Sequence, residues 1–100
     1  MGAFNSYQIK KMYPGKDDQE IYRAALLAIP NAGYDVWKKR DLLTLAIGKG
    51  NYKDNEVFCD ILVNLNGGSA KISARAQNLD EEDLKKVVEI VGNALDKLML

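Results

Sequence analysis

The chain has 100 residues, 47% of them hydrophobic and 28% charged, with a formal net charge of zero. This is enough for one globular domain, too short for two, and unlike a disordered composition. Zero net charge gives no bulk attraction to nucleic acid or to an anionic membrane.

Residues 1–6 are expected to form a flexible tail ahead of a single domain spanning 1–100. "SYQIKKMY" (Ser6 to Tyr13) reads as a first strand, with Tyr7, Ile9 and Tyr13 in one parity and Lys11 interrupting them, which suggests a sheet edge. "PGKD" then turns the chain. Asp17 and Glu20 stand at capping-box spacing and open a helix whose stripe is Ile21, Ala24, Ala25 and Ala28, widened by Tyr22, Leu26 and Ile29. Pro30 withholds a donor from Leu26, and Gly33 supplies a positive-φ stop.

Strands follow. "GYDVWKKRD" sets Tyr34 and Val36 against Asp35, Trp37 and Lys39. Arg40-Asp41 is expected to turn the chain into "LLTLAIG", where Leu43, Leu45 and Ile47 oppose Leu42, Thr44 and Ala46. "EVFCDILVNLN" alternates most clearly, with Val57, Cys59, Ile61, Val63 and Leu65 on one side and Phe58, Asp60, Leu62 and Asn64 on the other. Asn66-Gly67-Gly68 is a hairpin signal. "SAKISARAQ" then points Ala70, Ile72, Ala74 and Ala76 inward, and Lys71, Ser73, Arg75 and Gln77 outward. In the last helix Asp80 is the N-cap, Leu79 and Leu84 form a staple, and Leu84, Val87, Val88, Val91, Leu95 and Leu98 share a face. Gly92 in its interior predicts either a close approach to a neighbour or a tolerated cost of about 1 kcal/mol. The order β-α-β-β-β-β-α, with short links between the later strands, predicts an α+β two-layer sandwich. It is an antiparallel meander with both helices on one face.

Several chemistries lose their usual residues. No histidine is present, which removes the commonest general base and metal ligand. The single Cys59 makes no internal disulfide and falls at an inward position, so it reads as a packed apolar side chain and not as a nucleophile. Gly48-Lys49-Gly50-Asn51 looks like a phosphate loop, but a Walker-type loop needs Lys-Ser/Thr opening a helix, and a strand follows here. The expected role is a hairpin loop of roughly eight residues with "KDN" at its end. Asp80, Glu81, Glu82 and Asp83 read as a helix start and not as a hard-metal site. No catalytic residue, metal or cofactor is expected, and the chain is read as a non-enzyme.

No segment approaches the roughly 18 apolar residues of a membrane span. The N-terminus lacks the apolar run of a leader, and Gly2 with Ser6 meets only the bare myristoylation pattern. A lone cysteine favours a reducing, cytoplasmic location, with the envelope as the alternative if a leader has been removed.

The run "YRAALLAIPNAGYDVWKKR", followed by strands and a terminal helix, resembles small prokaryotic β-α-β4-α domains of unknown function. Its layout is similar to that of accessory envelope lipoprotein domains, which implies protein contacts and not catalysis. The resemblance carries over no functional residue.

With helices on one side, Trp37, Leu42, Phe58 and Leu62 are expected on the bare sheet face, among Lys39, Thr44, Asp60, Lys71, Ser73 and Arg75. Contiguous large apolar side chains on a surface favour contact with another protein or a second copy of the chain. Trp37, Leu42, Phe58, Leu62, Lys71 and Arg75 are therefore the expected interface. The alternative is a small apolar ligand held between sheet and helix, lined by Tyr7, Tyr22 and Tyr34. Nucleic-acid binding through Trp37, Phe58 and the basic residues is disfavoured, because the aromatic and basic signature of an RNA-recognition motif is absent.

Overall fold

The computed structural model describes residues 4–64 and 68–100. The elements are β1 (Asn5–Met12), α1 (Asp18–Asn31), β2 (Asp35–Arg40), a 3-10 helix (Asp41–Leu43), β3 (Leu45–Tyr52), β4 (Asn55–Asn64), β5 (Ser69–Ala76) and α2 (Glu81–Leu98). They form an α+β fold with one antiparallel sheet in the order β1-β5-β4-β3-β2. The later strands are a meander, and β1 closes on β5 as the far edge. Asn5 and Ser6 belong to β1, pairing with Ala76 and Arg75, and the Asn5 amide donates to the Leu79 carbonyl at 2.8 Å. The expected tail thus loses its last two residues to the sheet, because β5 offers them backbone partners.

The helices end for legible reasons. Asp80 caps α2 by accepting from the Asp83 backbone N–H at 2.9 Å, while Leu79 and Leu84 flank the cap as buried staple residues. Asp17 holds the N-cap position of α1 without a side-chain cap bond. At the other end of α1, Gly33 donates to Pro30 and Tyr34 to Ile29, the paired bonds of a Schellman stop, with Gly33 at φ +96°.

Both helices lie on one side of the sheet, α1 over β2 to β4 and α2 over β1 and β5. The Lys53–Asp83 pair fixes the start of α2 at the β3–β4 turn, and the Lys11–Asp96 pair fixes its end beside the exit of β1, where α1 begins. The two helices therefore run antiparallel. Val57, Cys59, Ile61 and Val63 of β4 are buried beneath them, together with Ala70, Ile72, Ala74 and Ala76 of β5. Each large aliphatic side chain fully buried in this layer contributes about 1.5–3 kcal/mol. Gly92 marks a close approach: a Cβ there would lie 3.1 Å from Lys11 Cε and 3.6 Å from Ile72 Cδ1. The turn expected at Asn66-Gly67-Gly68 falls largely outside the described residues, as does Leu65; Gly68 itself has φ +58°.

β3 departs most from expectation. Its glycines are not in a loop, for the strand runs through Gly48 and Gly50 to Tyr52. The reversal is two residues long, with Lys53 at φ 50° and Asp54 at φ 63°, the backbone of a type I′ hairpin. The parity is also inverted. Thr44 and Ala46 are buried on the helix side, while Leu45 and Ile47 face away. The cause is the space α1 needs: a Cβ on Gly48 would sit 2.8 Å from Ile29 Cγ2 and 2.7 Å from Cys59 Sγ, and one on Gly50 would collide with the Tyr34 ring. Small residues at 46, 48 and 50 let the helix and Tyr34 settle onto the strand.

Candidate functional site

The sheet face away from the helices is the surface on which the expected interface falls. Register builds it in three rows. Asp35, Lys49, Phe58, Arg75 and Ser6 form the first, Lys38, Ile47, Asp60, Ser73 and Gln8 the second, and Arg40, Leu45, Leu62, Lys71 and Lys10 the third. Leu45 and Ile47 of β3 and Phe58 and Leu62 of β4 thus hold the middle of the face, with basic residues of β2, β5 and β1 on either side.

Trp37 reaches this face through an irregularity. Pairing of β2 with β3 slips between Val36 and Lys38, leaving Trp37 as the extra residue of a bulge. Its ring packs against Phe58 with centroids 5.3 Å apart and planes tilted by 49°. Because the bulge shifts the parity, Lys38 joins Trp37 on the open side and places its ammonium 4.5 Å from the indole centroid. Lys39 is instead in register with Ala46, on the helix side, so its expected place on the open face is corrected. Lys49 stands 5.5 Å from the Trp37 ring, and the Arg75 guanidinium 5.1 Å from the Phe58 ring. The aromatic pair is thereby ringed by cations.

At the centre, Asp60 accepts from Arg75 at 2.9 Å through Oδ2. Its Oδ1 is buried and, among the described residues, has no hydrogen-bond partner. Burial pushes this carboxyl above its ordinary range, and Arg75 only partly pulls it back.

Phe58, Leu62, Lys71 and Arg75 take their expected places, and Trp37 joins them by way of the bulge. Leu62 is 39% exposed and Trp37 46%. Leu42 does not belong to the face. It lies in the 3-10 helix beyond β2 and is 94% exposed, since the chain coils at Asp41–Leu43 where a plain turn was expected. Thr44 is likewise off the face, buried in a left-handed conformation with its hydroxyl 2.9 Å from the Val63 carbonyl. Leu45, Ile47 and Lys38 are among the members that sequence reasoning missed, as are Lys10, Arg40 and Lys49. The alternation of small residues at Ala46, Gly48 and Gly50 was the available signal for the first two; a bulge at Trp37 has none in the sequence.

The three tyrosines of the alternative ligand site are spread apart. Tyr22 donates to Asp41 at 2.7 Å near the 3-10 helix, Tyr34 covers Gly50 nearer the other end of β3, and Tyr7 lies on edge strand β1. Burial, reinforced for Tyr22 by Asp41, pushes Tyr22 and Tyr34 up to about 12, so both phenols stay neutral. Cys59 is buried and its thiol is pushed up to about 12 by desolvation. Asp80 and Asp83 are engaged in the helix cap and with Lys53. Among the described residues no cluster of three or more His, Cys, Asp or Glu is placed to hold a metal, and no helix is long and apolar enough to cross a membrane. Models of known protein families find no match in this chain, and neither do the curated proteins.

Proposed function

We propose that this protein is a non-enzymatic interaction module that docks another protein molecule, a second copy or a different chain, through the open sheet face. The observation that carries the reading is the cluster of exposed Trp37 and Leu62 with the partly exposed Phe58, Ile47 and Leu45 on the sheet face that the helices leave bare. Adjacent apolar side chains on a rigid surface gain by being covered. A protein partner is favoured over a nucleic acid for two reasons. The Trp37 and Phe58 rings already carry cations, and Asp35, Glu56 and Asp60 share the face and would meet phosphates unfavourably. We place this role in the cytoplasm, where the lone Cys59 thiol stays reduced.

A lysine-reactivity footprint tests the reading. Acetylation rates are compared between dilute pure protein and the same protein added to concentrated extract of its native cell. Lys38, Lys49 and Lys71 should be protected in the extract relative to Lys16 and Lys53, which lie in the turns before α1 and between β3 and β4. Equal reactivity of both sets under both conditions would refute a docking role for this face.

A further inference from the structure

The charges of this neutral chain are sorted by layer. The two helices with their N-caps, residues 17–31 and 80–98, hold nine acidic and four basic side chains, a net of −5. All other residues hold ten basic and five acidic, a net of +5. The open sheet face itself has Lys10, Lys38, Arg40, Lys49, Lys71 and Arg75 against Asp35, Glu56 and Asp60. The outer side of the helix layer is opposite to it in sign and also carries exposed apolar side chains. Because the helices run antiparallel, their acidic starts, Asp17 to Glu20 and Asp80 to Asp83, lie at opposite ends of the layer. Between them are exposed apolar side chains, Leu27, Ile90 and Leu98, and an open groove of about 390 Å³ lined by Asn31, Ile90, Asn93, Ala94, Lys97 and Leu98.

We propose that the partner of the open face is a second copy of this chain, and that the sheet of one molecule docks on the helix layer of the next. This rests on the docking role proposed above and adds the partner. A sheet face with an apolar middle and a basic surplus then meets a helix layer with exposed apolar side chains and an acidic surplus. Sheet-to-sheet or helix-to-helix pairing would oppose like charges, which costs affinity and steers molecules apart. The contact is heterologous, so each molecule keeps one free surface and assembly proceeds to rings or chains. Five strands about 4.8 Å apart and about 26 Å long present roughly 600 Å². That is the lower end of what one partner contributes to a specific interface, so association is weak and dependent on salt.

Analytical ultracentrifugation provides the test, with two variants altered only at exposed positions and checked for native circular dichroism. Trp37→Ser/Lys71→Glu disables the sheet face, and Glu89→Lys/Ile90→Ser disables the helix layer. Wild type should rise above monomer mass at high micromolar concentration in low salt and return towards it at about 1 M salt, where the Debye length is about 3 Å. Each variant alone should stay monomeric, and their equimolar mixture should form a dimer and stop there, because one intact surface of each kind remains. A wild type that stays monomeric throughout would overturn self-association, while the lysine footprint would still decide the docking role with another partner. Self-association of the helix-layer variant alone would overturn the heterologous geometry in favour of sheet-to-sheet pairing, and a mixture that fails to dimerise would overturn that geometry outright.

Discussion

The two faces of the sheet are made from alternate residues of the same strands, yet they are different surfaces. On β4, Val57, Cys59, Ile61 and Val63 are buried, while Phe58 and Asp60 between them are partly open and Leu62 is 39% exposed. The covered face was selected for fit, with small residues admitting α1 and aliphatic residues filling what remains. The open face keeps large apolar groups and surrounds them with charge. One face holds the molecule together, and the other has no structural need for Trp37, Phe58 or Leu62. That contrast is the basis for assigning the open face an external role.

The largest expected difference between the faces is chemical access. Cys59 has its thiol pushed up to about 12 and is buried, so its reaction with a disulfide reagent should be slower than in the unfolded chain by roughly a thousandfold or more. A cysteine placed at Leu62 in a Cys59→Ala background should react at nearly the unfolded rate. Comparable rates at the two sites would remove the distinction.

Stability should divide in the same way. Ile61→Ala should cost about 2–5 kcal/mol in urea unfolding, whereas Leu62→Ala, its neighbour on the open face, should cost less than about 1 kcal/mol. Gly48→Val forces α1 off the strand and should cost about 1–3 kcal/mol, while Lys49→Val should be nearly neutral. Equal penalties within either pair would show that the helices do not cover the face assigned to them.

The smallest effect is in acid and has opposite signs for two carboxylates. Burial pushes Asp96 up, but the hydrogen bonds from Lys11 and Tyr13 outweigh it and leave the folded pKa below the ordinary value. Its stabilisation is present above the unfolded pKa and is lost as pH falls through the folded one. Asp60, raised by burial, does the reverse: the folded state binds its proton more tightly, so stability is gained as pH falls from the folded to the unfolded pKa. Asp96→Asn should therefore flatten the acid limb of a stability–pH curve, and Asp60→Asn should steepen it. The same change of slope in both variants would contradict these environments.

The sequence disclosed much of this plan, unevenly. α2 and the β4–β5 pair were legible because each buries one face with the right period over many residues, and Asp80 and Leu79 mark the helix start. β3 was not. Its helix-side residues are small because a helix lies against them, and small residues in "AIGKGN" imitate a loop until the partner is known. The site was legible where parity sufficed, as for Phe58, Leu62, Lys71 and Arg75. It failed where the backbone broke parity, at the Trp37 bulge that brings in Lys38 and at the 3-10 helix that carries Leu42 away. Both irregularities arise from tertiary pairing, which local pattern does not record.

Trp37 is the only tryptophan in the chain and stands within the proposed docking face, so its fluorescence reads that face without labels. The direct measurement is acrylamide quenching of Trp37 from submicromolar to high micromolar protein in low salt. Strong quenching in dilute solution, falling as concentration rises together with a blue shift of emission, is the predicted result. Emission that is shielded already in dilute solution, or quenched equally at every concentration, would contradict an open face that is covered by a second molecule.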